Sequence, residues 1–140
     1  MAFIKCSGGG KLKETILWEN PDPSVNFSDQ TIIFDYGGVI HDINDYEYIS
    51  LKWCKNKTTI TDLMEIFFTP ENLKKSLEPN TSNTNSCAFA GRNASGLAYV
   101  RQIMYKTDTS ARLTIGYSLG GTSASTSTQN TIPIIIKGWK

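Results

Sequence analysis

The sequence predicts an all-β fold, a β-sandwich or jelly-roll-like domain of about eight strands with at most one short helical turn. Three observations carry this. Short runs of alternating or β-branched residues recur at roughly 8–15-residue intervals. Gly, Pro, Asn and Asp separate them. The clearest helix start is a single turn's worth, at Thr69-Pro70-Glu71-Asn72. With 140 residues, 39% hydrophobic and 19% charged, the chain suits one globular domain that buries a core without disulfide staples. The expected division is an N-terminal arm or anchor over 1–12 and a β-domain over 13–140.

Taken in order, Phe3 to Cys6 reads as a short strand before Gly8-Gly9-Gly10. Lys13 to Trp18 follows, and Asn20-Pro21-Asp22-Pro23-Ser24 ends it, because proline cannot continue a ladder. Gln30 to Asp35 is a strand closed by Gly37-Gly38, and Val39 to Asn44 is an extended loop. Glu47 to Cys54 has the clearest alternation: Ile49, Leu51 and Trp53 share one face, and Tyr48, Ser50 and Lys52 the other. Ile60 to Phe68 fits both periods. Ile60, Leu63, Met64, Phe67 and Phe68 have helical spacing, with Thr59 and Asp62 as a possible capping box, whereas Ile60, Met64, Ile66 and Phe68 share a strand face. The β-rich flanks favour the strand. Thr69 then starts a single helical turn through Ser76, with proline at its first position and an acid in its first turn. Pro79 to Ser86 is a polar loop. Cys87 to Ala90, Leu97 to Tyr105 and Arg112 to Tyr117 are further strands, Gly120 to Thr128 is a Gly/Ser/Thr loop, and Thr131 to Lys137 is an isoleucine-rich strand buried on both faces. A sheet of the same chain or a second subunit could bury it.

Chemistry-bearing constellations are scarce. The net charge of +1 and the isolated pair Lys74-Lys75 offer no clustered basic face for nucleic acid. No apolar run is long enough for a membrane-spanning helix, and Met1 to Cys6 is too short for a signal peptide, so synthesis is expected in the cytoplasm. Cys6, Cys54 and Cys87 are odd in number and widely spaced, which argues against a disulfide framework or a zinc clip. They suit small buried positions. The sequons at Asn26, Asn56, Asn80 and Asn93 are what Asn/Ser/Thr-rich loops produce by chance. His41 is the single histidine; it reads as a polar loop residue, and no nucleophile–base–acid triad is apparent around it. Asp42 and Asp45 lack calcium-loop spacing, and Ser7 to Lys11 lacks phosphate-loop spacing and a following helix. The expectation is therefore a non-enzyme with no catalytic residues, cofactor or metal.

The aromatic residues Tyr36, Tyr46, Tyr48, Tyr99, Tyr105, Tyr117 and Trp139 could stack on sugar rings if several share an exposed surface. Tyr46 and Tyr48 fall on the face opposite Ile49 and Leu51, so Tyr46, Tyr48 and Tyr36 are the candidate glycan or partner contacts; cross-strand packing is the competing explanation. Ile132, Ile134 and Ile136 are the candidate oligomer interface.

Thr15-Ile16-Leu17-Trp18-Glu19-Asn20-Pro21-Asp22-Pro23-Ser24, followed by Phe27-Ser28-Asp29-Gln30-Thr31, resembles a domain of phage and prophage tail proteins of Gram-positive gut bacteria that carries "LWxNPxPS, then FxxQT". Its later "YxYIxI", "R-x-I/V" and Pro-led "IxGIK" strands are matched by Tyr46 to Leu51, by Arg101-Gln102-Ile103, and by Ile132 to Lys140. The likeness spans Thr15 to the C-terminus. The first motif is fairly specific and the others are individually weak. Trp139 stands where an aliphatic is usual, and the Val39 to Asn44 loop is extended. The resemblance implies a β-sandwich head in a virion and transfers no catalytic residue. The expectations that follow are a tail, baseplate or head-fibre component assembled in the bacterial host cytoplasm. It would contact other virion proteins and form a homo-oligomer, with a trimer the first expectation from phage fibres. The alternative is a lectin-like module that binds host cell-wall glycan. Neither nucleic acid nor membrane is an expected partner.

Overall fold

The computed structural model describes residues 10–28, 30–61, 63–75, 87–92, 98–105, 112–118 and 129–140. Their order is β1 (Glu14–Glu19), β2 (Gln30–Ile33), β3 (Asp35–Tyr36), β4 (Val39–Ile40), a 3-10 turn (Ile43–Asp45), β5 (Tyr48–Asn56), β6 (Leu63–Phe68), α1 (Pro70–Lys75), β7 (Cys87–Arg92), β8 (Ala98–Tyr105), β9 (Arg112–Ser118) and β10 (Asn130–Trp139). The fold is all-β, as expected. One antiparallel sheet has the order β1-β10-β5-β6, a second β2-β9-β8-β7, and β3-β4 form a two-stranded ribbon. The expected strand over Phe3 to Cys6, most of the arm over 1–12, and the loops over Pro79 to Ser86 and Gly120 to Thr128 lie outside the described residues.

Both four-stranded sheets feed one core. Leu17, Ile49, Leu51, Trp53, Cys54, Ile132 and Ile136 enter from the first sheet, and Ile32 and Ile103 from the second. Burying each such aliphatic side chain contributes about 1.5–3 kcal/mol. Ile49, Leu51 and Trp53 are buried along β5 as predicted, but burial does not alternate, because Ser50 and Cys54 on the opposite face are buried too. The ambiguous segment is a strand, β6, whose Ile66 and Phe68 pack on the core. Thr69 caps α1: its Oγ1 accepts the backbone N–H of Asn72 at 3.1 Å, and Leu73 anchors the short helix in the core.

Three expectations are corrected. The strands number ten among the described residues, not about eight. Val39 to Asn44 is not one extended loop, because Val39–Ile40 pairs with Asp35–Tyr36. Gly37 and Gly38 both take positive φ, 64° and 78°, as a two-residue hairpin turn of type I′ requires. The 3-10 turn follows, with the Asp42 carboxylate accepting Asn44 N–H at 2.8 Å. Thirdly, Ile132 and Ile136 have no exposed surface: they pack inside this chain, so these two side chains are removed from any subunit contact. Ile134 is partly buried against the same core.

A proline in a central strand needs an explanation, since it cannot donate to the ladder. Pro133 sits where the β10–β5 register shifts, between Pro133 and Ile135. The Asn20 side chain donates to the Pro133 carbonyl at 2.8 Å, and Asn20 N–H to the Ile134 carbonyl at 2.8 Å. The Asn-Pro-Asp-Pro-Ser segment is thus a corner that closes around this irregularity. Its Asp22 carboxylate accepts Ser24 N–H at 3.0 Å and Ser24 Oγ–H at 2.5 Å, and these two bonds hold it below the usual carboxylate range.

Arg101 on β8 is fully buried. Its Nε donates to the Thr131 carbonyl at 2.6 Å, and its Nη2 to the carbonyls of Phe27 at 3.0 Å and Asn130 at 3.2 Å. The guanidinium also lies 5.1 Å from the Phe27 ring centroid. A planar guanidinium, with its donors in a fixed fork, reaches three carbonyls at once in this geometry. The clamp fastens the second sheet to the start of β10, where Thr131 holds φ at 53°, a conformation unusual for a β-branched residue.

Candidate functional site

The face of the first sheet directed away from the core is the most chemically varied surface described. Strand register explains why. Trp139 on β10 lies opposite both Glu14 on β1 and Tyr48 on β5. One pleat further, Lys137 lies opposite Ile16 and Ser50, and Ser50 opposite Phe67. Beyond that, Lys52 faces Glu65. Directly opposed residues point to the same side, so alternation places Trp139, Tyr48, Phe67, Lys137, Ser50, Lys52 and Glu65 on one face.

Trp139 is the centre of that face. Its indole N–H donates to Ser50 Oγ at 2.9 Å. Its ring centroid is 5.8 Å from that of Phe67, and Lys137 Nζ lies 5.7 Å from the ring. Lys137 in turn pairs with Glu14 at 2.7 Å, and Lys52 with Glu65 at 3.8 Å. The hydrogen bond and the neighbouring ring fix the indole's orientation before anything binds. Such a surface offers aromatic faces for stacking beside charged groups that can hydrogen-bond hydroxyls.

The three candidate tyrosines do not converge. Tyr48 is half-buried on this face, beside Trp139. Tyr36 is exposed on β3, and its hydroxyl is 3.4 Å from Glu19 Oε2, at the far end of β1 from Glu14. Five residue steps of strand, roughly 17 Å, separate the two ends. Tyr46 is corrected from solvent-facing to buried. Period two does not reach back to it, because the 3-10 turn brings residue 46 in beneath the sheet. Its ring fills the space where Gly138 has no side chain; a Cβ there would stand 2.4 Å from the ring. Its hydroxyl is 2.9 Å from His41 Nδ1. Burial pushes the phenol above its usual range, partly offset by a hydrogen bond from Thr15. The side chains of Tyr99, Tyr105 and Tyr117 lie outside those described.

Phe67 was not singled out from the sequence: the helical reading set it on the apolar face, and the strand reading left it off the face of Ile60, Met64, Ile66 and Phe68. Trp139 stood among the aromatics, but its partners emerge only from register. Among the described residues no group of three or more His, Cys, Asp or Glu side chains could hold a metal ion. Cys54 is a free, buried thiol, pushed up by desolvation, with Sγ 3.3 Å from the Asn56 carbonyl. No helix among the described residues is long and apolar enough to cross a membrane.

No protein-family model matches the chain, and neither does any curated protein or any solved structure.

Proposed function

We propose that this protein is a non-enzymatic structural component of a bacteriophage virion, and that the outward face of the β1-β10-β5-β6 sheet contacts host cell-wall glycan. The virion reading rests on the resemblance through Thr15 to Thr31 and the later strands. The two four-stranded sheets sharing one core are read as the layers of a sandwich head. The contact reading rests on one observation: Trp139 is held by Ser50 and Phe67 beside Tyr48 and two ion pairs, on the face opposite Ile49 and Leu51. Aromatic rings flanked by charged side chains suit a polyol with apolar ring faces.

The test is binding of the purified full chain to cell-wall polysaccharide from Gram-positive gut bacteria. The expected result is retention that Trp139→Ala and Tyr48→Ala each weaken by about tenfold, one stacking interaction of roughly 1–1.5 kcal/mol. Tyr36→Ala, at the other end of β1, should leave retention unchanged. A folded protein that ignores all such polysaccharides removes the glycan reading and leaves a purely structural role.

A further inference from the structure

We infer that β6 is a self-association edge, through which two copies join by antiparallel pairing about a two-fold axis at Ile66. Among the described strands, β6 has a neighbour on one side only. Its free side lacks the usual guards, since it contains neither proline nor lysine. Leu63, Met64 and Phe67 are 47%, 39% and 41% exposed, and Ile60 in the preceding turn is exposed too. The opposite edge of the same sheet contrasts with it. β1 carries Glu14 and Glu19 at its ends and a register break between Ile16 and Trp18. β2, an edge of the second sheet, is only four residues long.

The composition of β6 selects a second copy rather than a charged partner. Its single ionisable residue, Glu65, is already paired with Lys52 of its own chain, so the edge presents no net charge for another protein to read. The sequence Leu-Met-Glu-Ile-Phe-Phe has two apolar residues at each end. An antiparallel two-fold lays one end on the other, the self-complementarity that an isologous contact needs. With the axis at Ile66, Ile66 meets its own copy, Met64 meets Phe68, and Glu65 meets Phe67. Moving the axis to Glu65 would set two carboxylates directly opposite each other, which is unfavourable. The pairing makes one eight-stranded sheet. Both Trp139 faces then lie on the same side, joined across the two Phe67 rings. The inference holds whether or not that face binds glycan.

Light scattering on the full chain over a concentration series tests it. The expected result is twice the monomer mass, with self-association weakened about tenfold or more by Met64→Lys and by Leu63→Lys, since lysine guards an edge. Circular dichroism of both variants should match the parent. With oxidised glutathione added as the two-electron oxidant, Ile66→Cys should form a disulfide linking residue 66 of two copies, found by peptide mapping, because directly opposed strand residues lie about 4.5–5.5 Å apart. A monomer throughout, a trimer, or a dimer that both lysine variants leave intact overturns the inference. So does a folded Ile66→Cys dimer with no 66–66 disulfide.

Discussion

Tyr46 shows how one residue's surroundings are set by a residue far away in sequence. Its ring occupies the volume left by Gly138, and its hydroxyl is bonded by His41 and Thr15. Burial favours the neutral phenol, so its folded pKa is raised above 10.0. A raised pKa gives stability that is complete below the unfolded value and is lost as pH rises through the folded value. Thermal melts from neutral to strongly alkaline pH should therefore decline more steeply for the parent than for Tyr46→Phe. Near neutral pH the variant should be less stable by about 1 kcal/mol, the worth of a buried hydrogen bond. The two curves should converge as pH climbs past 10. Parallel curves would mean that the phenol is not what titrates.

At the scale of elements, the β3–β4 ribbon was legible only in part. Gly37-Gly38 announces a turn, but two-residue strands are too short for alternation to register, and the segment after the glycines reads as loop. The turn itself depends on glycine, because both positions need positive φ. Neither Cβ would meet another atom within 4 Å, so backbone strain alone sets the cost of alanine. Replacing both with alanine should destabilise by about 1 kcal/mol per site, read as a lower urea midpoint with an unchanged slope. Long strands fared better: β1, β5 and β8 follow their predicted spans closely. The candidate site was poorly legible, because its residues come from β1, β5, β6 and β10 and meet through register. Tyr48 and Ser50 could be placed on one face from their own strand, but Trp139 and Phe67 join them only once β10 and β6 lie against β5. The isoleucine strand was read as buried on both faces, but only Ile132 and Ile136 are fully buried, while Ile134 and Ile135 keep part of their surface; the choice between burial by this chain and burial by another required seeing the second sheet.

For the molecule as a whole, Arg101 is the tie between the sheets. Replacing it with methionine leaves the Phe27, Asn130 and Thr131 carbonyls without that donor in a buried setting. The expected loss is about 1–3 kcal/mol, the cost of leaving buried acceptors without a donor, out of the roughly 5–15 kcal/mol that holds a domain folded. Arg101→Lys should recover little, because a single ammonium cannot replicate the planar fork. Denaturant unfolding measures both, and a methionine variant within about 0.5 kcal/mol of the parent would show that the clamp is dispensable. The place of β10 also governs how the molecule comes into being. β10 is the last strand in the chain, yet it lies between β1 and β5. On the ribosome, β1 and β5 must wait for residues 130–139 before the partner that joins them exists, whereas the β5–β6 hairpin and the β7-β8-β9 meander can form from neighbouring segments as they emerge. Pairing of β1 and β5 through β10 is thus deferred until residues 130–139 have emerged, and until then the nascent chain holds two sticky strands open to chaperones and to one another.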